Sequence, residues 1–335
     1  MNQSVLVTGG AGYIGSHVVQ QLVARGERVV VVDNLSTGFR DAVRGAELVV
    51  GNVGDRALLA RVLARHGVDA VLHFAAHTVV PESLSDPLKY YGNNTCNTES
   101  LLACCAEAGV RHFIFSSTAA VYGITESGMA DEDTPTRPIN PYGRSKLMSE
   151  TMLHDLCATG AMHHATLRYF NVAGCDPQGR IGHSTLNSTL LIKVACEHAV
   201  GKRASVSIFG SDYDTPDGTG IRDYIHVEDL AAAHLRALDH LRDGGESLTL
   251  NCGYGHGYSV REVIDAVQRV GGHPLAVVEQ PRRPGDTPML VACSDRLKQQ
   301  LDWRPQYDDL DFIVRTALLW EQKLARQPVT LASGA

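Results

Sequence analysis

Ser4-Val5-Leu6-Val7-Thr8-Gly9-Gly10-Ala11-Gly12-Tyr13-Ile14-Gly15-Ser16-His17 is a short apolar run that breaks into glycines and then resumes with helical spacing. The run predicts a buried strand and residues 16–25 a helix, which sets the glycines in a strand-to-helix turn. Gly9 permits the tight turn, Gly12 lets backbone approach a pyrophosphate with no Cβ in the way, and Gly15 lets the helix pack closely on the strand. The helix N-terminus then presents free N–H groups to anionic oxygen.

Outward from this turn, β-branched and apolar runs at 28–33, 48–51, 70–74 and 112–117 alternate with helical stretches at 56–65, 87–108 and 141–158. Near-continuous apolar strands separated by helices predict an α/β architecture, a doubly wound parallel sheet covered on both faces. In 56–65 the leucines and valine share one stripe while Arg56, Arg61 and Arg65 face solvent, which is helix packing without functional weight. After Arg168-Tyr169-Phe170-Asn171 the texture changes. Gly, Pro and Asp become frequent at 174–182, 210–220 and 281–288, with helical stretches near 190–200, 227–241 and 259–270. These are read as long loops of a smaller mixed α/β C-terminal lobe closing over the strand ends.

The chain has 335 residues, 44% hydrophobic and 20% charged, with 30 Lys plus Arg against 37 Asp plus Glu and a net charge of -7. This excludes disordered, collagen-like and disulfide-stapled chains and fits one large or two modest domains. Mild acidity gives no footprint for polyanions, so no nucleic acid partner is expected, while a small phosphate ester is compatible. Eight cysteines lie scattered without a C-x-x-C pair, as reduced thiols of a cytoplasmic protein would. The 15 His include no H-E-x-x-H, and no metal is expected. No signal peptide can be drawn over the first apolar run, and no apolar stretch is long enough to span a membrane.

Asp33 lies eighteen residues past Gly15 at the end of the second valine-rich strand. A carboxylate there accepts the hydroxyls of an adenosine ribose and repels a 2'-phosphate, so NAD is the expected cofactor. Asn140-Pro141-Tyr142-Gly143-Arg144-Ser145-Lys146 begins a helix, with Tyr142 and Lys146 four residues apart on one face. A lysine cation beside a phenol favours the phenolate, which is general-base machinery for removing an alcohol proton during hydride transfer. Upstream, 113–118 reads as a buried strand ending in hydroxyl residues. That makes Ser116 and Thr118 candidates for holding cofactor and substrate hydroxyl at the ligand crevice.

With these residues in view the chain resembles the extended short-chain dehydrogenase/reductases, and among them the UDP-glucose 4-epimerases. The resemblance runs through the glycine turn, Val32-Asp33-Asn34-Leu35-Ser36-Thr37-Gly38, His73-Phe74-Ala75-Ala76, Pro81-Glu82-Ser83, Tyr90-Tyr91-Gly92-Asn93-Asn94, Ser116-Ser117-Thr118, Tyr142 with Lys146 and Arg168-Tyr169-Phe170-Asn171. It continues in Ile208-Phe209-Gly210, the block from Gly218 to Val227, and Arg282-Arg283-Pro284-Gly285-Asp286, which are far more specific than the glycines. The resemblance implies a Rossmann domain over 1–170, with segments about 221–255 returning to it, and a lobe over 171–335 that mainly binds a UDP-sugar.

It also implies roles. Tyr142 takes the proton of the sugar 4-hydroxyl, Lys146 binds the nicotinamide ribose and tunes Tyr142, and Thr118 hydrogen-bonds the reacting oxygen. NAD is a regenerated, tightly held group contacted by Gly9, Gly12, Tyr13, Ile14, Gly15, Asp33, Asn34, Ser36, Thr37, Gly38, Asn52, Val53, Phe74, Ala75, Ala76, Asn93, Ser116, Tyr142, Lys146 and Tyr169. The UDP-hexose is held by Thr118, Asn171, Phe209, Arg222, Arg283, Asp286 and Leu290, with the arginines on phosphate oxygens and Asp286 on the uridine ribose. Polar anchors belong at the UDP end, because a hexose that must turn over has to be gripped loosely. A homodimer through 87–108 and 141–158 is a further implication.

Four positions depart from the family pattern. Thr78 stands where several members carry Lys, Asn52 where many have Asp, and 183–191 differs from the usual Asn-rich uridine loop. Leu290 is intermediate between the bulky and small residues that reject or admit 2-acetamido sugars, which leaves those substrates open. Nucleotide-sugar 4,6-dehydratases share the scaffold but need an Asp-Glu pair after the strand threonine. Thr118 is followed by Ala119 and Ala120, so elimination lacks its proton shuttle. UDP-glucuronate epimerases or decarboxylases remain alternatives, and a non-enzymatic NAD sensor would be favoured by loss of Tyr142 or Lys146, both of which are present.

Overall fold

The first half of the chain forms β1 (Ser4–Thr8), α1 (Tyr13–Ala24), β2 (Val29–Asp33), β3 (Glu47–Val50), α2 (Arg56–His66), β4 (Val68–His73), α3 (Val80–Ser85), α4 (Pro87–Tyr90), α5 (Asn97–Ala108), β5 (His112–Thr118), β6 (Met129–Ala130) and α6 (Pro141–Ala158). The second half adds β7 (His163–Tyr169), β8 (Asn171–Ala173), α7 (Leu191–Ala199), β9 (Val206–Phe209), β10 (Ile221–Arg222), β11 (Tyr224–His226), α8 (Val227–Arg242), β12 (Leu248–Cys252), β13 (Tyr258–Ser259), α9 (Val260–Gly271), β14 (Val277–Gln280), β15 (Met289–Ala292), α10 (Asp295–Leu301) and α11 (Leu310–Arg326). The structure is a computed structural model and describes residues 4–283 and 285–326. Pro284 of the arginine motif lies outside the described residues, as do the outer limits of the two predicted domains.

A seven-stranded, all-parallel sheet in the order β12-β7-β5-β4-β1-β2-β3 organises the molecule. Successive side chains of a strand point to opposite faces, and β1 divides its valines accordingly. Val5 and Val7 join Val18, Leu22, Leu230 and Leu238 under α1 and α8. Leu6 joins Leu59, Leu101, Phe113 and Leu153 under α2, α5 and α6. Both faces are therefore dry, as a doubly wound sheet requires. The first of these cores continues into the second lobe through Ile192, Ile208, Val263 and Ile313. That lobe carries a four-stranded sheet, β13-β10-β15-β6, and the pairs β11-β8 and β14-β9.

The strand order reverses between β1 and β4, and the crevice above the C-terminal strand ends at such a switch point is where open α/β sheets bind ligands. Glycine turn, Asp33, Phe74, Thr118 and Asn171 all follow or end strands on this side.

Several elements differ from the sequence expectation or lie beyond it. β7 and β12 were not among the predicted strands, because His163, His164, Arg168 and Asn251 interrupt their apolar runs. The stretch 87–108 is not one regular α-helix: residues 91–96 form a π turn between α4 and α5. In that wide turn the Asn94 carbonyl accepts from the Thr98 hydroxyl at 2.6 Å and the Ser149 hydroxyl at 2.9 Å, so side chains stand in for the displaced helical bond. α10 and α11 lie beyond the helices read from the sequence.

Candidate active site

The glycine turn is tight for a structural reason. A Cβ on Gly9, whose φ is +71°, would stand 2.5 Å from the Ala75 amide nitrogen, and one on Gly15 would stand 2.3 Å from the Gly9 carbonyl oxygen. α1 begins after Gly12 with no side-chain cap, so its first-turn amides are left for an anion. Asp33 ends β2 beside this turn, accepting the Ala11 amide at 3.0 Å and the Leu35 amide at 2.8 Å. Burial raises its pKa and the two backbone bonds oppose the rise. Each carboxylate oxygen keeps a lone pair for a further donor. A cradle of unpaired amides beside a carboxylate fits a dinucleotide with a free ribose diol.

The remaining predicted cofactor residues lie in the loops, helix starts and strand ends of the first half of the chain and on β7. The Asn34 amide oxygen accepts the Ser36 amide at 3.0 Å, and Gly38 packs so closely on Ala11 that a Cβ would sit 2.8 Å from its carbonyl carbon. Thr37 lies in the same exposed loop, and Tyr13 and Ile14 open α1. Asn52 accepts from the Gly54 amide and the Asn97 side chain, with Val53 buried behind it. Phe74 leads on to Ala75 and Ala76 and meets His234 with ring centroids 4.8 Å apart. Asn93 donates to Asn94 at 3.0 Å. Ser116 and Tyr169, on adjacent strands, share a short hydroxyl–phenol hydrogen bond.

α6 supplies the tyrosine and lysine. Asn140 caps it by accepting the Gly143 amide at 2.8 Å, and Pro141 occupies the first turn. Tyr142 and Lys146 are both buried. Burial raises the Tyr142 phenol, and a hydrogen bond with the Thr118 hydroxyl opposes that rise. Lys146 donates to the Ser116 carbonyl at 2.8 Å and stands 4.8 Å over the Phe115 ring. Burial pulls its pKa from 10.5 to about 7, with Glu150 opposing. Burial thus disfavours both charged forms.

The second lobe brings Phe209, Arg222, Arg283 and Asp286 together. Arg283 donates to Asp286 at 3.0 Å and lies 4.5 Å over the half-exposed Phe209 ring, while Arg222 stands 4.0 Å from Asp286. Leu290 is the strand partner of Arg222 and packs on Ala119, Val121 and Tyr122, the turn that follows Thr118. Asn171 pairs with Tyr224, two residues past Arg222, and lines a cleft that it shares with Tyr13, His183, Leu190, Lys193 and Tyr224.

Sequence reasoning missed part of this cleft. His183 stacks on Tyr13 at 4.4 Å, and the buried Lys193 pairs with Glu321. Tyr224 is the strand partner of Asn171. Tyr224 sits in the motif block already singled out, whereas Lys193 and Glu321 are 128 residues apart and no local pattern joins them. Among the described residues no His, Cys, Asp and Glu cluster is arranged to hold a metal, and all eight cysteines are free thiols.

Residues 5–253 match the model of the NAD dependent epimerase/dehydratase family. The chain is 57% identical over 321 residues to a UDP-glucose 4-epimerase of Azospirillum brasilense, covering 96% of this chain and 92% of the relative. Its structure is similar to that of UDP-glucose 4-epimerase from Brucella ovis in complex with NAD, with a TM-score of 0.92, 43% identity and 95% and 98% of the two chains covered. It is similar too to the enzyme from Stenotrophomonas maltophila with bound NAD and formylated UDP-arabinopyranose, with a TM-score of 0.93, 40% identity and 96% and 99% coverage. The family model covers most of the chain and the relatives match along nearly its full length, so the chain belongs to the NAD dependent epimerase/dehydratase family.

Proposed function

We propose that this chain is an isomerase, a UDP-glucose 4-epimerase that interconverts UDP-glucose and UDP-galactose with NAD as a regenerated cofactor. The observation that carries the reading is the buried Tyr142 phenol facing Thr118 at the strand end, with the buried Lys146 one turn away on the same helix. Tyr142 takes the proton of the sugar 4-hydroxyl while Thr118 holds that oxygen, and the C4 hydrogen leaves as hydride. When bound, NAD supplies the acceptor for that hydride and later returns it. The product of the first half is a 4-keto sugar nucleotide, which turns over about its diphosphate linkage. Tyr142 then gives its proton back as hydride returns to the opposite face of C4, so oxidation and reduction cancel.

Residues 1–170 with 221–255 serve the dinucleotide in this reading, and 171–335 mainly the UDP-sugar. Asp33 and the first-turn amides of α1 hold the NAD, and Arg222, Arg283, Asp286, Phe209 and Asn171 grip the UDP. Leu290, beside the turn after Thr118, faces the sugar end and sets tolerance for a 2-acetamido group. Exposed Leu88 on α4 and Met148 on α6 support a homodimer through 87–108 and 141–158. Free thiols and an acidic net charge support a cytoplasmic enzyme without nucleic acid partners. No helix among the described residues is long and apolar enough to cross a membrane.

The test is a side-by-side assay on UDP-glucose, UDP-galactose and their 2-acetamido counterparts. Interconversion of the plain hexoses without net consumption of NAD is expected, and Tyr142→Phe lowers turnover about a hundred-fold or more while retaining NAD. A protein that turns over neither hexose, or a Tyr142→Phe variant with parental turnover, overturns the reading.

A further inference from the structure

Consecutive residues at the end of β5 are each met by a residue on one side of α6. Lys146 covers the Phe115 ring and binds the Ser116 carbonyl, the Ser117 hydroxyl donates to Glu150 in a short bond, and Thr118 meets Tyr142. Tyr142, Lys146 and Glu150 follow one another at four-residue intervals, so one helical stripe reads the strand end residue by residue. Ser117, Arg168 and Asn251 are register partners on β5, β7 and β12, and form a polar row across three strands.

Arg168 joins row and helix. Its Nη2 lies 2.6 Å and its Nε 3.1–3.2 Å from the Glu150 carboxylate, a forked pair with side chains only 8% and 2% exposed. Its Nη1 donates to the Tyr122 hydroxyl at 3.1 Å, and Tyr122 donates to Asn251 at 2.7 Å. Tyr122 lies in the turn directly after Thr118. A buried ion pair is no better for stability than apolar side chains of the same volume, yet this one sits one turn below Lys146 and meets Ser117, the residue before Thr118.

We propose that Glu150 and Arg168 are positioning residues that lock α6 to the ends of β5 and β7, and so hold Tyr142 against Thr118 and Lys146 against Ser116. The inference rests on the roles of Tyr142 and Lys146 given above. Glu150 also opposes the loss of charge that burial imposes on Lys146. The groups facing this pair of carboxylate and ammonium are Arg168 from β7, Tyr122 from the turn, His73 from β4 and His154 on α6 itself.

The test uses the purified NAD-containing enzyme and compares the parent, Tyr142→Phe, Glu150→Gln and the apolar double variant Glu150→Leu/Arg168→Met. The double variant is included because removal of one partner leaves a buried charge and Glu150→Gln alone can fail to fold. Expected is a double variant that unfolds at or above the parent's temperature but loses kcat about ten-fold or more, with KM for UDP-galactose within about three-fold. The acid limb of its kcat profile moves to higher pH, because a less cationic Lys146 leaves the phenolate harder to form. Glu150→Gln, where folded, shows the same loss of kcat at near-constant KM. A double variant with parental kcat and an unmoved pH profile, beside an inactive Tyr142→Phe, overturns the positioning role alone. A parental Tyr142→Phe overturns the catalytic reading and this inference together.

Discussion

Lys146 is a cation held in a place that disfavours cations. Its folded-state pKa of about 7 lies below the ordinary 10.5 because burial strips its water. Between those two values the unfolded chain holds a proton that the folded chain has released, so this group makes stability rise with pH across that window and gives its full penalty below it. Replacing it by an apolar side chain of similar length removes the penalty. Lys146→Met is therefore expected to be more stable than the parent at pH 7 by about 2–5 kcal/mol, with the gap closing towards pH 10, and to lose activity. Urea unfolding of both proteins at the two pH values measures this, and a gap that stays constant with pH contradicts it. At this scale the sequence was informative about placement where spacing along one helix or strand sets it, as for Tyr142 and Lys146 on α6 and Thr118 at the end of β5. Partners that depend on which strands become neighbours were not legible: the Ser116–Tyr169 bond requires β5 beside β7, and the Arg222–Asp286–Arg283 group requires β10 beside β15.

At the scale of elements, the glycine turn shows which features follow from backbone alone. Gly15 enters α1 against the Gly9 carbonyl and the Gly10 Cα, at 2.3 Å and 2.9 Å from a hypothetical Cβ, and backbone cannot step aside as a side chain can. Gly15→Ala is expected to cost about 1–3 kcal/mol of stability and to release NAD more readily, because displacing α1 moves the amides that face the anion. Gly92→Ala is the matched control: nothing lies within 4 Å of its Cβ, its φ is not positive, and stability should hold or rise slightly. Thermal unfolding with and without added NAD separates the two, and equal behaviour would remove the steric argument. The long periodic helices were readable to within a few residues because amphipathic spacing and caps such as Asn140 are local signals. The π turn at 91–96 was not, since it depends on Thr98 and Ser149 capturing the Asn94 carbonyl from two different helices. Two-residue strands such as β10 and β13 carry no period at all, and exist because a neighbour pairs with them.

For the whole molecule, α6 has two duties that pull its composition apart. One side, with Tyr142, Lys146 and Glu150, is buried against the sheet, while Met148 on another side is 46% exposed and Leu88 on α4 is 78% exposed. Exposed large apolar side chains on these two helices fit the proposed homodimer, in which a two-fold axis would count every substitution twice. Burying one leucine contributes about 1.5–3 kcal/mol, so losing it in both copies weakens association by about 3–6 kcal/mol, or roughly a hundred-fold or more in Kd. Leu88→Glu adds two desolvated carboxylates on top of that loss. Sedimentation equilibrium should find a dimer for the parent and a monomer for Leu88→Glu at the same micromolar concentration. Leu88 is exposed on α4 and outside the Tyr142–Thr118 contact, so the variant should retain its fold and its bound NAD. A parent that sediments as a monomer, or a Leu88→Glu variant as dimeric as the parent, would assign the exposed leucines to some other purpose and leave the active site to be explained within a single chain.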